Sequence, residues 1–502
     1  MKDEDYRRLK SGADIRGRAI EAEGQPAPLT PQGAERIGYA FALMLAARQK
    51  TTPDKLLIAV GHDARQSGPA LYQAFIHGLT DADCDVLDCG LCTTPVMFWA
   101  AKQGGADGAA MVTASHHPWY ENGFKLVGRD GALSGEEIEA LLAAAQDTQP
   151  PMRLVKPWDM KEKYLADLRQ MVARRMDTQV QCPLLGLHVV VDAMGGAGGF
   201  YARFLEELGC EVTGSRGLEP QGRNPQAGQP FDGPQALATI SQAVTVNTAD
   251  MGVLLDADGD RAVIVDGQGR VINGNRLIAL ISAILLEERP GATIVTDSAT
   301  SSGLKRFITE WGGVHYRFKR GYQNVIQEAI RLNGEGIDCP LAIETSGHAA
   351  FRENGFLDDG LYLATRLACE ALLRKREGET LGSLIQELSE PVERAEIRLG
   401  VLTEDMRQAA QSVTETILSH TLEDGAWHLA GDSREGVRIL FDLEGGVENA
   451  WFQLRPSVHE PQLVLSAESD VPGGVRDILG RLYQLIQQER SIDLDPLRSA
   501  VR

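Results

Sequence analysis

Four short stretches concentrate the residues able to do chemistry. The first is Met111-Val-Thr-Ala-Ser115-His-His-Pro-Trp-Tyr-Glu-Asn-Gly123-Phe-Lys125. An apolar run over residues 109–112 ends there, and a polar loop begins at Thr113. Ser115 therefore falls at a strand end, where open α/β sheets place ligands. A serine is a weak nucleophile and needs a neighbouring base or metal. Two histidines follow it, and Pro118 opposes a helix in the loop. Lys125 can stabilise transferring charge, or move a proton if its pKa is lowered. A plain polar turn after a strand fits the same residues.

The second stretch is Asp256-Ala-Asp258-Gly-Asp260-Arg261, directly after the apolar Met251–Leu255. Three alternate carboxylates on a loop leaving a buried strand repel one another, and a hard divalent cation such as Mg²⁺ relieves that. A calcium-binding EF-hand loop is excluded, because its sixth position would be Arg261 and its twelfth Gly267. A solvated acidic turn is the bland alternative. The third stretch, Glu344-Thr-Ser346-Gly-His348, again follows a strand. Glu344 and Ser346 suit the vicinal hydroxyls of a sugar, and His348 suits proton transfer. A strand-to-strand turn with a surface histidine explains it equally well. The fourth is Arg455-Pro-Ser457-Val-His459-Glu-Pro461. There Arg455 can grip a phosphate through two N–H groups, with Ser457 and backbone amides adding donors. An exposed turn is its alternative.

The elements that must carry these loops are strands alternating with helical periods, the α/β pattern. Three segments look alike: Leu57–Val60 running into Gly68, Val189–Val191 into Gly198, and Thr293–Val295 into Gly303. Each is an apolar strand, an acidic turn of small residues and a helix. They read as equivalent positions in three similar α/β domains. After Pro391 adjacent strands with helices at the ends indicate an α+β domain. The division expected is 1–156, 157–271, 272–389 and 390–502, with Gln221–Pro234 as an irregular loop in the second domain.

The chain has 502 residues and a formal net charge of −20. An acidic surface argues against nucleic acid or an anionic membrane as partner. It also obliges any site for an anionic substrate to bring its own arginines and lysines. Seven scattered cysteines favour reduced thiols and a cytoplasmic setting. The Cys89–Cys92 pair has no second pair to complete a metal site. The charged start MKDEDYRRLK has no apolar core of a secretory signal, and the apolar run Leu277–Leu286 is too short to span a bilayer.

Taken together and in this order, the four loops resemble those of the α-D-phosphohexomutases, the family of phosphoglucomutase and phosphomannomutase. Thr113–Pro118 with Asn122–Lys125 is similar to its phosphoserine loop, Asp256–Arg261 to its metal loop, Glu344–His348 to its sugar loop and Arg455–Pro461 to its phosphate loop. Asp14-Ile-Arg16-Gly17 matches an early motif whose arginine approaches the phosphoserine. The resemblance implies three related α/β domains with mixed sheets and a TATA-binding-protein-like C-terminal domain. It implies Mg²⁺ held by Asp256, Asp258, Asp260 and a phosphoserine oxygen on Ser115. It implies catalytic roles for Ser115, Lys125, Arg16 and His348, and substrate contacts from Arg261, Glu344, Ser346, Arg455, Ser457 and His459. The implied reaction interconverts mannose or glucose 1- and 6-phosphates through a hexose 1,6-bisphosphate. Glucose or mannose 1,6-bisphosphate would be the activator, and the enzyme a monomer or homodimer.

Three positions depart from the family pattern. His117 replaces Asn, Val458-His459 replaces a small residue and Thr, and Gln323 takes a Lys position beside Lys319 and Arg320. They leave room for a divergent sugar-phosphate binder with weak turnover or for a phosphoglucosamine mutase. A haloacid-dehalogenase-type phosphatase, with Asp256 as nucleophile, would leave the serine loop without a role.

Overall fold

The structure is a computed structural model that describes residues 5–22, 24–146, 156–157, 160–222, 231–403, 405–457 and 461–502. The chain packs as two compact units. One comprises Met1–Asn273 with Gly347–Ser383, the other Gly274–Ser346 with Leu384–Arg502.

The first unit holds two sheets. The larger runs in the order Lys10–Ser11, Asp14–Arg18, Glu121–Gly128, Gly108–Val112, Leu57–His62, Asp85–Leu91, Lys156–Pro157. Leu57–His62 pairs parallel with both Asp85–Leu91 and Gly108–Val112, Asp85–Leu91 pairs parallel with Lys156–Pro157, and the strands from Gly108–Val112 out to Lys10–Ser11 pair antiparallel. Gly108–Val112 is buried along its whole length, as an apolar run covered on both faces must be. The pairing of Arg16 with Gly123 lays the Arg16 strand beside the one carrying Lys125.

Helix Pro31–Arg48 starts on Thr30, whose side chain accepts from Gly33 N–H, and it packs on helix Gly68–Asp81. The two axes come close enough that a Cβ at Gly38 would overlap the Phe75 carbonyl, and one at Gly78 the Glu35 carbonyl. Beneath them Phe75 stacks on Phe124 with ring centroids 4.8 Å apart, directly under the strand that leads from the Ser115 loop to Lys125.

The smaller sheet of this unit runs Val271–Ile272, Ala262–Asp266, Met251–Leu255, Val189–Asp192. Met251–Leu255 and Ala262–Asp266 form a wholly buried antiparallel pair, and the register Leu255↔Ala262 leaves residues 256–261 as its turn. Helices Pro234–Val246 and Gly360–Arg376 pack against these strands. Of the loop expected at Gln221–Pro234, residues 223–230 lie outside the described residues.

In the second unit Val314–Arg317, Thr293–Thr296 and Leu341–Ile343 pair in parallel in that order. Its C-terminal part is a five-stranded antiparallel sheet, ordered Glu393–Gly400, Gln462–Ser469, Ala450–Pro456, Val437–Phe441, His428–Leu429. Helices Met406–Glu423 and Gly474–Ile486 close a core around Trp427, Phe441 and Phe452.

The three α/β repeats and the α+β tail agree with the sequence, but the TATA-binding-protein-like expectation does not. That fold is a curled saddle. Here the sheet is neither closed nor curled. Its long pairings, Glu393–Gly400 with Gln462–Ser469 and Ala450–Pro456 with Gln462–Ser469, run residue for residue without the bulges that bend a sheet.

Candidate functional site

Ser115 begins the turn between Gly108–Val112 and Glu121–Gly128. Its backbone is left-handed, with φ of 53°, and the residue is only 2% exposed. Any residue with a Cβ pays about 1–2 kcal/mol for that conformation, so the surroundings must impose it. They do so through Asp63 and Arg65. Ser115 N–H donates to Thr113 Oγ1 at 2.8 Å, and Thr113 Oγ1 donates to Asp63 Oδ2 at 2.7 Å. The Arg65 guanidinium, itself paired with Asp63, donates to the carbonyls of Ser115, His117, Pro118 and Glu121. One buried arginine thus ties down both ends of the serine loop. His117 Nδ1 lies 2.7 Å from Glu121 Oε2, which closes the loop from outside.

The Ser115 hydroxyl donates to Asp256 Oδ2 at 3.1 Å and receives Arg261 Nη2 at 3.0 Å. Arg261 lies over the Phe231 ring, 4.5 Å from its centroid, and also donates to His116 Nδ1 at 2.8 Å. Burial, and then the charge of Arg261, hold His116 far below the ordinary histidine range, so it accepts as the neutral imidazole. A cavity of about 60 Å³ opens over Ser115, His116, Trp119 and Phe231.

Asp256, Asp258 and Asp260 are fully buried, and each offers a carboxylate oxygen within 4.8 Å of the others. Asp256 Oδ1 accepts from Gly259 N–H, and Asp258 Oδ2 from Thr94 Oγ1 at 2.6 Å. Asp258 Oδ1 and Asp260 Oδ1 accept no hydrogen bond among the described residues. Burial and the nearby Asp260 push Asp256 up to about 8 and raise Asp258. Burial also opposes the charge on Asp260, but Lys125, His348 and Arg261 outweigh it and hold that carboxyl low. Dry, mutually repelling carboxylates with unused lone pairs are the donor set of a hard divalent cation. The residues therefore fit Mg²⁺.

Lys125, 2% exposed, reaches Asp260 at 3.0 Å and Asp14 at 3.5 Å. Arg16 Nη2 donates to Asp14 at 2.7 Å, while its buried Nη1 makes no hydrogen bond among the described residues. His348 joins this group through backbone bridging to Arg261. Its Nδ1 lies 2.6 Å from Asp358 Oδ2. Burial favours the neutral ring, but Asp358 and Asp260 overcome it and raise the His348 pKa. Sequence reading missed Asp358. Its only signal was the Asp358-Asp359 doublet, which reads as a helix start, and Asp359 does cap Tyr362 N–H. Asp63 and Arg65 were missed as well, since nothing in their spacing ties them to a loop fifty residues away.

The first unit thus brings together Ser115, Arg16, Lys125, Asp256, Asp258, Asp260, Arg261 and His348. The second holds Glu344, Ser346, Arg455 and Ser457. Glu344 accepts from Gly321 N–H at 2.6 Å and from Ser346 Oγ at 3.1 Å, and Thr345 Oγ1 donates to Asp297 at 2.6 Å. Arg455 is 5% exposed, with Nε unbonded among the described residues. Burial and the facing charge of Arg320 depress its pKa, although a guanidinium stays protonated in a protein. Arg320 lies within electrostatic reach of Asp297 and Glu344 as well. Ser457 continues the strand ladder through its N–H to Gln462 O. Val458 and His459 lie outside the described residues.

Comparison with known proteins places this geometry. Alpha/beta/alpha domains I, II and III of phosphoglucomutase/phosphomannomutase match residues 7–150, 162–269 and 273–392. A phosphomannomutase/phosphoglucomutase of Pseudomonas aeruginosa is 31% identical over 448 residues, covering 88% of this chain and 89% of its own. A phosphoglucosamine mutase of Beijerinckia indica is also 31% identical, over 84% of this chain and 89% of its own. A crystal structure of a phosphoglucomutase/phosphomannomutase family protein from Burkholderia thailandensis superposes with a TM-score of 0.77 at 26% identity, covering 96% of this chain and 98% of that one. With three consecutive domain matches and relatives this similar along most of its length, the chain belongs to the α-D-phosphohexomutase (phosphoglucomutase/phosphomannomutase) family, and its activity is of the mutase type.

Proposed function

We propose that the protein interconverts the 1- and 6-phosphates of mannose or glucose through phospho-Ser115. The observation that carries this reading is the Ser115 hydroxyl, held in a braced left-handed turn between Asp256 at 3.1 Å and Arg261 at 3.0 Å. In the first half-reaction the phosphoryl group passes from Ser115 to a free sugar hydroxyl. The bond from phosphorus to the serine oxygen breaks, one to the sugar oxygen forms, the sugar hydroxyl gives its proton to a base, and the serine oxygen takes one from an acid to regain its hydroxyl. The resulting 1,6-bisphosphate turns over and returns its other phosphate to Ser115. His348, oriented by Asp358, and Lys125, held by Asp260, are the groups poised to move protons. Arg261 and Arg16 neutralise the group in flight. Bound magnesium would add further charge neutralisation at Asp256, Asp258 and Asp260, in a reaction where positioning and electrostatics supply most of the rate. Glu344 and Ser346 would read hydroxyls, and Arg455, Ser457 and His459 the distal phosphate. Each of the four divisions, 1–156, 157–271, 272–389 and 390–502, would contribute one loop.

The sugar is open between relatives named for mannose and glucose phosphates and one named for glucosamine phosphate, which makes a phosphoglucosamine mutase the second reading. The reaction is proposed to be cytoplasmic, with no nucleic-acid or membrane partner. No helix among the described residues is long and apolar enough to cross a membrane.

The test combines kinetics and mass. The protein is incubated with Mg²⁺, glucose 1,6-bisphosphate and, in separate runs, the 1-phosphates of glucose, mannose and glucosamine. A 6-phosphate product and a phosphoryl adduct absent from Ser115→Ala are expected. An adduct that persists in Ser115→Ala removes the role given to this serine. Absence of product from all three sugars removes the proposed activity.

A further inference from the structure

The two oxygens of Asp258 in the metal loop are treated differently, and a residue 164 positions earlier in the chain makes the difference. Helix Thr94–Lys102 belongs to the same unit as the loop and begins against it. Its first residue grips Asp258 twice. Thr94 N–H donates to Asp258 O at 2.9 Å, and Thr94 Oγ1 donates to Asp258 Oδ2 at 2.6 Å. Both residues are fully buried. Asp258 Oδ1 accepts no hydrogen bond among the described residues.

The local chain is shaped for this contact. Gly259, next to Asp258, has a left-handed φ of 74°, and a Cβ there would lie 2.8 Å from Leu361 Cδ1 and 3.3 Å from Thr93 Cγ2. Glycine is what lets the loop sit so close on the helix start. Thr93 holds the N-cap position, yet its buried hydroxyl makes no hydrogen bond among the described residues. Pro95 follows and has no N–H to offer. Of the two threonines, Thr94 is therefore the one whose hydroxyl reaches the loop. The positive end of the helix dipole favours a carboxylate at this place as well.

A short hydrogen bond from a fixed, buried donor does two things to a carboxylate. It sets the rotation of the group, and it occupies one of the two oxygens. The other oxygen is left for a cation. Divalent ions differ in how they use such a group. Mg²⁺ is small and demands near-octahedral ligands, whereas Ca²⁺ gathers more oxygens in a flexible shell and readily takes both from one carboxylate. A carboxylate restricted to one oxygen therefore suits the smaller ion. Partners that orient a metal ligand without touching the metal commonly decide its affinity.

We propose that Thr94 is a positioning residue for the metal loop, whose hydroxyl restricts Asp258 to one ligating oxygen and thereby selects Mg²⁺ over Ca²⁺. This rests on the reading of Asp256, Asp258 and Asp260 as the ligands of the cation, and adds to it a residue that never touches the ion.

The test measures cation affinity on the full chain. Bound Mn²⁺ is followed by electron paramagnetic resonance while Mg²⁺ or Ca²⁺ displaces it. The wild type is compared with Thr94→Val, Thr94→Ala, Thr94→Ser and Asp260→Asn. Thr94→Val keeps the shape and the N–H contact and removes the hydroxyl donor. Thr94→Ala removes it with less bulk, so the answer does not hang on one variant folding. Both should bind Mg²⁺ about ten- to a hundredfold more weakly and Ca²⁺ within about threefold of the wild type. Thr94→Ser keeps the hydroxyl and should retain both affinities. An unchanged ratio of Mg²⁺ to Ca²⁺ affinity in Thr94→Val and Thr94→Ala overturns the proposal, as does a Thr94→Ser that behaves like them. Mn²⁺ binding that survives intact in Asp260→Asn, or is missing from the wild type, removes the ligand reading itself and the proposal with it. The two failures are thus told apart without measuring turnover.

Discussion

At the scale of single residues, Asp358 does the work that sequence left unassigned. It fixes which way the His348 ring faces, and its carboxylate favours the charged ring. Replacing it as Asp358→Asn should lower kcat by about ten- to a hundredfold, the usual cost of losing an orienting partner. KM should stay within about threefold, since the substrate-binding groups are untouched. Steady-state kinetics with both parameters checks this, and a loss confined to KM would contradict the positioning role.

His315 tests a different property. It is half-buried, with a solvent-shielded Nδ1 that makes no hydrogen bond among the described residues, and that burial together with Arg317 and Arg438 holds it well below the ordinary 6.5. The folded protein therefore binds fewer protons than the unfolded chain below that pH. Its contribution is complete above about 6.5 and is lost as pH falls, at a limiting slope of about 1.4 kcal/mol per pH unit. Urea unfolding at about pH 5 and pH 7.5 should show a smaller pH dependence in His315→Gln than in the wild type.

At the scale of elements, one turn recurs. Ser115 and Asp256–Arg261 both occupy the connection after a strand that pairs parallel with the first strand of its repeat, Gly108–Val112 in one case and Met251–Leu255 in the other. Glu344–His348 follows Leu341–Ile343, which likewise pairs parallel with Thr293–Thr296. The three reactive loops are one structural position used three times. The sequence pattern anchored the repeat on the first strand, because the acidic small-residue turns there look most alike, and so it found the repeat without the shared position of its loops. Buried strands such as Met251–Leu255 were legible because parallel or covered strands are continuous apolar runs. The shape of the C-terminal sheet was not, since alternation sets which face is buried and says nothing of how far the sheet bends. Asp358 was hidden by sharing its doublet with a helix cap.

The helix pair over the first sheet yields a sharper prediction. Gly78→Ala puts a methyl group into the Glu35 carbonyl and should cost about 1–3 kcal/mol, measured by urea unfolding, despite the higher helix propensity of alanine. A neutral or stabilising result would mean that the two helices separate without penalty.

At the scale of the molecule, the chain leaves the first unit after Asn273 and returns for Gly347–Ser383. The returning piece brings His348, Asp358 and helix Gly360–Arg376, which packs on Met251–Leu255 and Ala262–Asp266. A fragment ending at Asn273 therefore lacks part of its own core. It should bind a hydrophobic dye and be cut readily by protease, whereas the full chain resists both; a compact, protease-resistant fragment would show that the returning helix is dispensable. The same detour sets a schedule for birth on the ribosome. The metal loop is made early, yet its histidine neighbour lies about 90 residues further on and the covering helix is complete only after about 115, a delay of roughly 5–20 s at ordinary elongation rates. For that interval helix Pro234–Val246 is in place but the ground meant for Gly360–Arg376 is bare, so the nascent chain shows an apolar surface that the finished protein hides.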